Sequence, residues 1–391
     1  MLKKTTYLIT SIIVSPLIIP LLLLKKIKKI KFIRIRSRRI GHLSSNTELF
    51  LRRKELKIIT ENNLKPIGIA TSKPCNQPLL EMFQRKLKIV VIALPTPLRI
   101  LSQLAANNSI LKTLDLFTEP KYRVNDFYEF NNCPPMLNFT NDEKKKGKEI
   151  LKQMNINNWF VCVNVRDKKY LDTVLKKRDE SDDYRNGNIQ NTTLALEYII
   201  KREGYVLRMG AKVENRLDIE NKKIIDYASN WRTEFGDIYL SAHCKFFLGD
   251  TSGLICIPYI FNRPLALINV IPLNHPPINK QSLFIPKKIW FKKEQRYLTF
   301  KEIIEFEKEK YFIETKDYTS KEYIPHENTP QEILDLTVEM NERLNGTWKS
   351  TAEDETLQQK YKSIFPPTSH CYGFPSRIGT VFLRENKDLL N

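Results

Sequence analysis

At 391 residues, 41% of them hydrophobic, the chain exceeds what one ordinary core organises, so two domains are expected, and 12 glycines with 21 prolines exclude a fibrous repeat. The net charge of +20 does not make the whole body a polyanion binder: eleven Lys and Arg precede residue 40, Glu48 is the first acid, and the remainder is only mildly basic. A nucleic-acid binder would spread its cations along a groove with aromatic platforms; that pattern is missing, and no nucleic-acid partner is expected.

The first element is apolar. Residues 7 to 24, YLITSIIVSPLIIPLLLL, carry no charge, and as a helix they would span about 27 Å, borderline for a bilayer core. Nine cations follow between Lys25 and Arg39 with no A-x-A cleavage pattern, which favours a retained anchor over a signal peptide. Pro16 and Pro20 would kink a spanning helix, so crossing and dipping into one leaflet both stand. The cation bias puts the body on the cytoplasmic side of the inner membrane, against an anionic lipid surface. Residues 1–32 are thus expected to be a membrane-associated helix with a polybasic stem.

Beyond it, strands and helices alternate. FIRIRSRRIGHL alternates apolar with basic residues, 47–59 is amphipathic, and LKPIGIA and LKIVVIAL read as strands with a helix between them. This defines an N-terminal α/β domain over 33–150. The polar stretch 107–158, with the Lys-rich helix pattern NDEKKKGKEILKQM, marks the boundary.

In the second half, WFVCVNV (159–165) is apolar apart from Asn164, as a strand covered on both faces would be. NTTLALEYIIKREG reads as a helix, YVLRMG and KIIDYA as strands, FGDIYLSAHC as a helix and KFFLGD as a strand. After a turn at Asp250–Gly253 come a further helix and the strand PLALINV. Strand, helix, strand in steady repeat means a parallel doubly wound sheet over 151–345, and the whole is expected to be two Rossmann-like domains with a cleft between them.

Open parallel sheets bind ligands beyond the carboxyl ends of their strands. Those ends carry Arg166-Asp167, Arg208-Met209-Gly210 and Asp250-Thr251-Ser252-Gly253. A helix starting after Gly253, capped by Thr251 or Ser252, would aim unpaired N–H groups at the ligand, and Gly253 would let the ligand come close. Arg166 and Arg208 would add charge-assisted bonds. Together these parts suit a diphosphate. Simpler readings exist for each: a cap for the Thr-Ser-Gly turn, carboxylate partners for the arginines, a turn for YRNGN (184–188), a solvated loop for DESDD (179–183). His42 after Gly41 reads equally as a catalytic base or a structural histidine. The six cysteines show no CxxC and the five histidines no HxxxH, so neither a disulfide frame nor a metal is expected.

NVRDKKY, DYRNGNI, GYVLRMG, FFLGDTSGLICIPYIFNRPLALIN and LFIPKK, in that order, resemble a family of bacterial glycosyltransferases of surface-polysaccharide gene clusters; RIGHL and RIGTVFL extend the likeness. More distantly, a strand-end Arg and a Thr-Ser-Gly turn are similar to fucosyltransferases of the GT-B class. The chain departs from them with Asn164-Val165-Arg166-Asp167 in place of a His-x-Arg-Arg string. The resemblance implies a GT-B enzyme moving a sugar from a nucleotide-diphosphate sugar to a glycan acceptor, lipid-linked at the membrane, without a metal. Its implied site has Arg166, Arg208, Gly210, Asp250, Thr251, Ser252 and Gly253 on the diphosphate, and Tyr184, Arg185 and Asn186 as candidate donor contacts. Asp167 and His42 are the candidate bases, and residues 346–391 are expected to return to the first domain. A sugar-nucleotide epimerase of similar fold, or a non-catalytic membrane-bound assembly factor, are the rival readings.

Overall fold

The computed structural model describes residues 23, 30–59, 65–70, 73–87, 91–93, 117–118, 126–167, 169, 180–211, 217, 219, 221–308 and 313–391. The apolar run and most of the stem expected to form an anchor lie outside the described residues. Among the described residues no helix is long and apolar enough to cross a membrane.

The chain divides into two compact units, Met1–Tyr122 with Asn132–Phe139, and Arg123–Asn131 with Thr140–Asn391. In the first unit, β1 (Ile30–Ile35), β2 (Lys65–Ala70), β3 (Val91–Ala93) and β4 (Phe117–Thr118) form a parallel sheet in the order β3-β2-β1-β4. A single π turn, His42–Asn46, leads into α1 (Thr47–Glu55), and α2 (Gln77–Leu87) follows β2. Leu43, Leu49, Leu79, Met82 and Phe83 are buried, because the apolar positions of both helices fall on one face. Within α1, Glu48 and Arg52 form a fully buried ion pair at 2.9 Å. Glu48 also accepts Met136 N–H at 2.8 Å, and Arg52 donates to Cys133 O at 2.9 Å. That network ties 132–139 to the first unit.

The second unit holds a seven-stranded sheet, parallel throughout: β5 (Phe160–Asn164), β6 (Tyr205–Arg208), β7 (Ile224–Ile225), β8 (Phe247–Gly249), β9 (Leu265–Val270), β10 (Leu283–Pro286) and β14 (Arg377–Ile378), in the order β14-β10-β9-β8-β5-β6-β7. β5 and β9 are buried along their whole length, as strands covered on both faces must be. Renumbered within the unit, the first six strands run 3-2-1-4-5-6, the doubly wound order, whose direction of winding reverses between β5 and β8.

Besides α1, α2 and the short helix Phe127–Asn132, the described helices are α3 (Asn141–Gln153), α4 (Thr193–Lys201), α5 (Tyr227–Asn230), α6 (Glu234–His243), α7 (Cys256–Ile260), α8 (Phe300–Glu307), α9 (Thr315–Thr319), α10 (Pro330–Asn345), α11 (Ala352–Ser363) and α12 (Thr380–Glu385). The Lys-rich pattern expected at a boundary is α3, and it belongs to the second unit. Its Gly147 lies so close to Tyr239 of α6 that a Cβ would sit 2.1 Å from the ring.

Three features differ from the sequence reading. KIIDYA is a strand only at Ile224–Ile225, because Asp226 caps α5 by accepting Ser229 N–H at 3.2 Å. An unanticipated antiparallel sheet, β12-β11-β13, is built from β11 (Lys288–Phe291), β12 (Arg296–Tyr297) and β13 (Tyr323–His326). Residues 346–391, expected on the first domain, are part of the second unit. The left-handed Gly346 (φ 74°) ends α10, and the chain turns back to pair β14 with β10, covering an otherwise open edge. Arg384 grips the Asp354 carboxylate at 2.6 and 2.7 Å, and Arg377 grips Glu355 at 2.7 and 3.0 Å.

Candidate functional site

The reversal of winding places the ends of β5 and β8 side by side, Asn164 in register with Gly249. Gly249 is required there: a Cβ would stand 2.1 Å from the Asn164 carbonyl oxygen. Arg166 follows β5, and Asp250 follows β8. Asp250 is fully buried, and its Oδ2 accepts Arg166 N–H at 2.7 Å.

The Arg166 guanidinium donates to Asp182 O at 2.6 Å and lies 3.6 Å from the Asp182 carboxylate. Arg185 reaches the same place from the 3₁₀ segment Glu180–Arg185, donating to Thr251 O at 2.6 Å with Asp182 at 3.9 Å. Their side chains keep 12% and 29% exposure, so neither is sealed in the core. Each guanidinium retains donors beyond these bonds. Burial, and then the neighbouring Arg185 charge, lower the Arg166 pKa. The Asp182 carboxylate is an anion the two cations share, and their remaining donors can take a further one.

Asp250 answers to the same surroundings. Burial raises its carboxyl to about 7, against the Arg166 N–H bond and the charges of Arg166, Arg185 and Lys287. An acid buried completely cannot touch a phosphate, so Asp250 holds Arg166 rather than a ligand. Lys287, just past β10, is 4% exposed and donates to Tyr184 O at 3.1 Å and Asn186 O at 2.7 Å. Tyr184 is buried against Tyr318, with ring centroids 5.1 Å apart, and desolvation pushes its hydroxyl up to about 12. Tyr184 is thus a support of the turn, while Arg185 beside it reaches the site. Five buried polar atoms in this cluster have no hydrogen-bond partner among the described residues: Arg185 Nε, Asn186 Oδ1, Asp250 Oδ1, Thr251 Oγ1 and Asn269 Nδ2. Such a concentration of unused donors and acceptors in a buried place suits ordered water.

Elsewhere the expected parts are arranged differently. The helix after the Thr-Ser-Gly turn does not begin at Gly253; α7 has five residues, and its N-cap Ile255 makes no side-chain bond. Pro258 explains this. A helix starting at Gly253 would require a Pro258 N–H to meet Leu254 O, whereas the observed start leaves Pro258 in the first turn, where no donor is needed. Ser252 donates instead to Asn164 Oδ1 at 3.1 Å, and Asn164 donates to Met209 O at 3.1 Å, lacing the ends of β8, β5 and β6 together. Gly253 is exposed. Arg208 is 3% exposed and pairs with Asp226 at 3.4 Å, and Gly210 after it adopts φ 145°. Asp167 is half-buried beside Arg166 and accepts Lys169 N–H at 3.0 Å. His42 is exposed in the first unit, at the start of its π turn.

Sequence reasoning missed Lys287, Asp182 and Asn269 as members of the cluster. Lys287 stands in the quoted LFIPKK, but its acceptors lie about a hundred residues upstream. Among the described residues no group of three or more His, Cys, Asp or Glu could hold a metal ion. The six cysteines form no disulfide with one another, and four of them are buried. A shallow cleft of about 420 Å³ along α3 is lined by Asn141, Lys144, Lys145, Lys148, Glu149 and Lys152. It is the solvated face of one helix and brings no separate elements together.

No protein-family model and no curated protein matches the chain. Among solved structures, it is similar to the ADP-heptose lipopolysaccharide heptosyltransferase II of E. coli, at 13% identity over 66% of this chain and 90% of that one, with a TM-score of 0.40. At that distance the likeness transfers neither fold nor activity.

Proposed function

We propose that the protein is a glycosyltransferase of GT-B type that moves a sugar from a nucleotide-diphosphate sugar to a glycan acceptor. The observation that carries this reading is the pair Arg166 and Arg185 at the winding reversal between β5 and β8, partly exposed and with donors to spare. Ligands of doubly wound sheets sit at that place, and two guanidiniums match the paired phosphates of a nucleoside diphosphate. The motif resemblance supports the same assignment.

In this reading, Arg166 and Arg185 stabilise the charge that develops on the leaving nucleoside diphosphate as the bond to the anomeric carbon breaks. The backbone of Thr251, Ser252 and Gly253 borders the phosphates, while Gly210 and Asn186 border the donor. Asp250 and Arg208 act behind them, through the bonds to Arg166 N and Asp226. If the reaction inverts, Asp167 or His42 takes the acceptor proton. No metal is assigned to the charge-stabilising role. The apolar run and polybasic stem would bring the enzyme to a lipid-linked acceptor on the cytoplasmic face of the inner membrane, and the glycan would belong to a surface polysaccharide.

The test is donor binding by full-length protein with Arg166→Ala and Arg185→Ala. Each variant should lose roughly 10- to 100-fold in nucleoside-diphosphate affinity, the worth of about 1.5–3 kcal/mol for a charge-assisted bond. Unchanged affinity in both would refute the site.

A further inference from the structure

Lys287 is a buried cation whose cost no ion pair offsets. Among the described residues it forms no salt bridge, and its ammonium meets two neutral carbonyls, Tyr184 O and Asn186 O. Removing an ammonium from water for such partners is expensive, and an apolar side chain of the same length would fill the space at less cost. Burial accordingly lowers its pKa, opposed by the carboxylates of Glu327 and Asp250.

The two carbonyls belong to the residues on either side of Arg185. Holding both fixes the turn from which the Arg185 guanidinium projects onto Thr251 O. The rest of the turn is held with equal care. Thr315 Oγ1 accepts Asp183 N–H at 3.0 Å, and Glu327 Oε2 accepts Asn188 N–H at 2.7 Å and Asn191 Nδ2 at 3.1 Å. Gly187 N–H donates to Arg166 O at 3.1 Å. Gly187 leaves no slack: a Cβ would come within 2.9 Å of Val165 Cγ1 and 3.0 Å of Asn269 Nδ2. Arg166 and Arg185 repel one another, and Asp182, 3.6 and 3.9 Å from them, acts on Arg166 less strongly than the Arg185 charge does, so the turn itself must also be held.

We propose that Lys287 is a positioning residue of the diphosphate site, gripping the Tyr184 and Asn186 carbonyls so that Arg185 meets the ligand beside Arg166. The proposal rests on reading the Arg166–Arg185 cluster as a nucleoside-diphosphate site. It needs no contact between Lys287 and the ligand.

The test uses the full chain and three variants: Lys287→Met, which keeps the length and loses the donors; Lys287→Arg, which keeps charge and donors; and Lys287→Gln, which substitutes if the Met variant does not fold. Titrations with UDP, GDP, ADP and dTDP are paired with amide hydrogen exchange over 183–191. The Met variant should bind the nucleotide preferred by the wild type at least tenfold more weakly, with faster exchange at Gly187 and Asn188. Arg should recover most of both, and Gln should fall between. Binding by Lys287→Met equal to wild type, or exchange unchanged in it, overturns the proposal alone. A wild type that binds none of the four overturns the underlying reading, and the proposal falls with it.

Discussion

Asp250 is a residue whose chemistry departs far from its ordinary behaviour. Its folded-state carboxyl is raised from 3.8 to about 7, so the folded chain binds a proton across that interval that the unfolded chain has released. Its contribution to stability is therefore full below about pH 4 and lost as pH rises through about 7. Glu307, fully buried and raised to about 8, has the same sign. Asp250→Asn and Glu307→Gln should each flatten the fall in urea midpoint between pH 5 and 8, and the double variant should flatten it most. A wild-type midpoint that climbs across that range would contradict both assignments. Arg166 was legible because it follows a strand that is apolar apart from Asn164. Arg208 carried the same signal, yet Asp226 takes its guanidinium, and no local pattern announces that pairing. Lys287 was illegible for the opposite reason: its partners are backbone carbonyls, which every residue has.

At the scale of elements, one close approach of backbone and one buried ion pair decide what can change. Gly249→Ala would set a Cβ 2.1 Å from a backbone oxygen of the paired strand, where neither side can yield cheaply. It should destabilise the second unit by about 3 kcal/mol or more, read from denaturant unfolding, since overpacking typically costs 1–3 kcal/mol. In the first unit, Glu48→Ala would leave Arg52 buried without its carboxylate. The expected loss is about 3–5 kcal/mol, whereas a joint Glu48→Leu and Arg52→Met exchange should cost much less. Equal losses from the single and joint changes would show that the charge pairing is not the cause. The long helices and buried strands were legible because their periodicity is strong: α4, α6, β5 and β9 stand close to where the pattern puts them. α7 was overestimated because the turn residues were weighed and Pro258 was not. The antiparallel sheet went unread because KIWF and EYIPH are short, half-exposed and held together by pairing between segments far apart in the chain, Phe291 with Tyr323 and Lys288 with His326.

For the whole molecule, the alternation of strands and helices was enough to anticipate two parallel α/β units, but not where the C-terminal segment goes. Its place depends on β14 finding the open edge of β10, a contact between residues nearly a hundred apart. Deleting 346–391 should uncover that edge together with Glu339, which accepts Thr380 N–H at 2.7 Å and Thr380 Oγ1 at 2.8 Å, and the truncated chain should aggregate on sedimentation. A monodisperse truncated chain would show the segment to be dispensable for the second unit. The central claim is tested most directly by thermal unfolding of the full chain with UDP, GDP, ADP, CMP and dTDP, in wild type and Arg166→Ala. Binding to the folded state raises the midpoint by mass action, about 2.7 kcal/mol at a hundredfold excess over Kd. The account predicts that one nucleoside diphosphate raises the wild-type midpoint and that Arg166→Ala abolishes the rise; no rise with any of them, or a rise that survives the substitution, would contradict it.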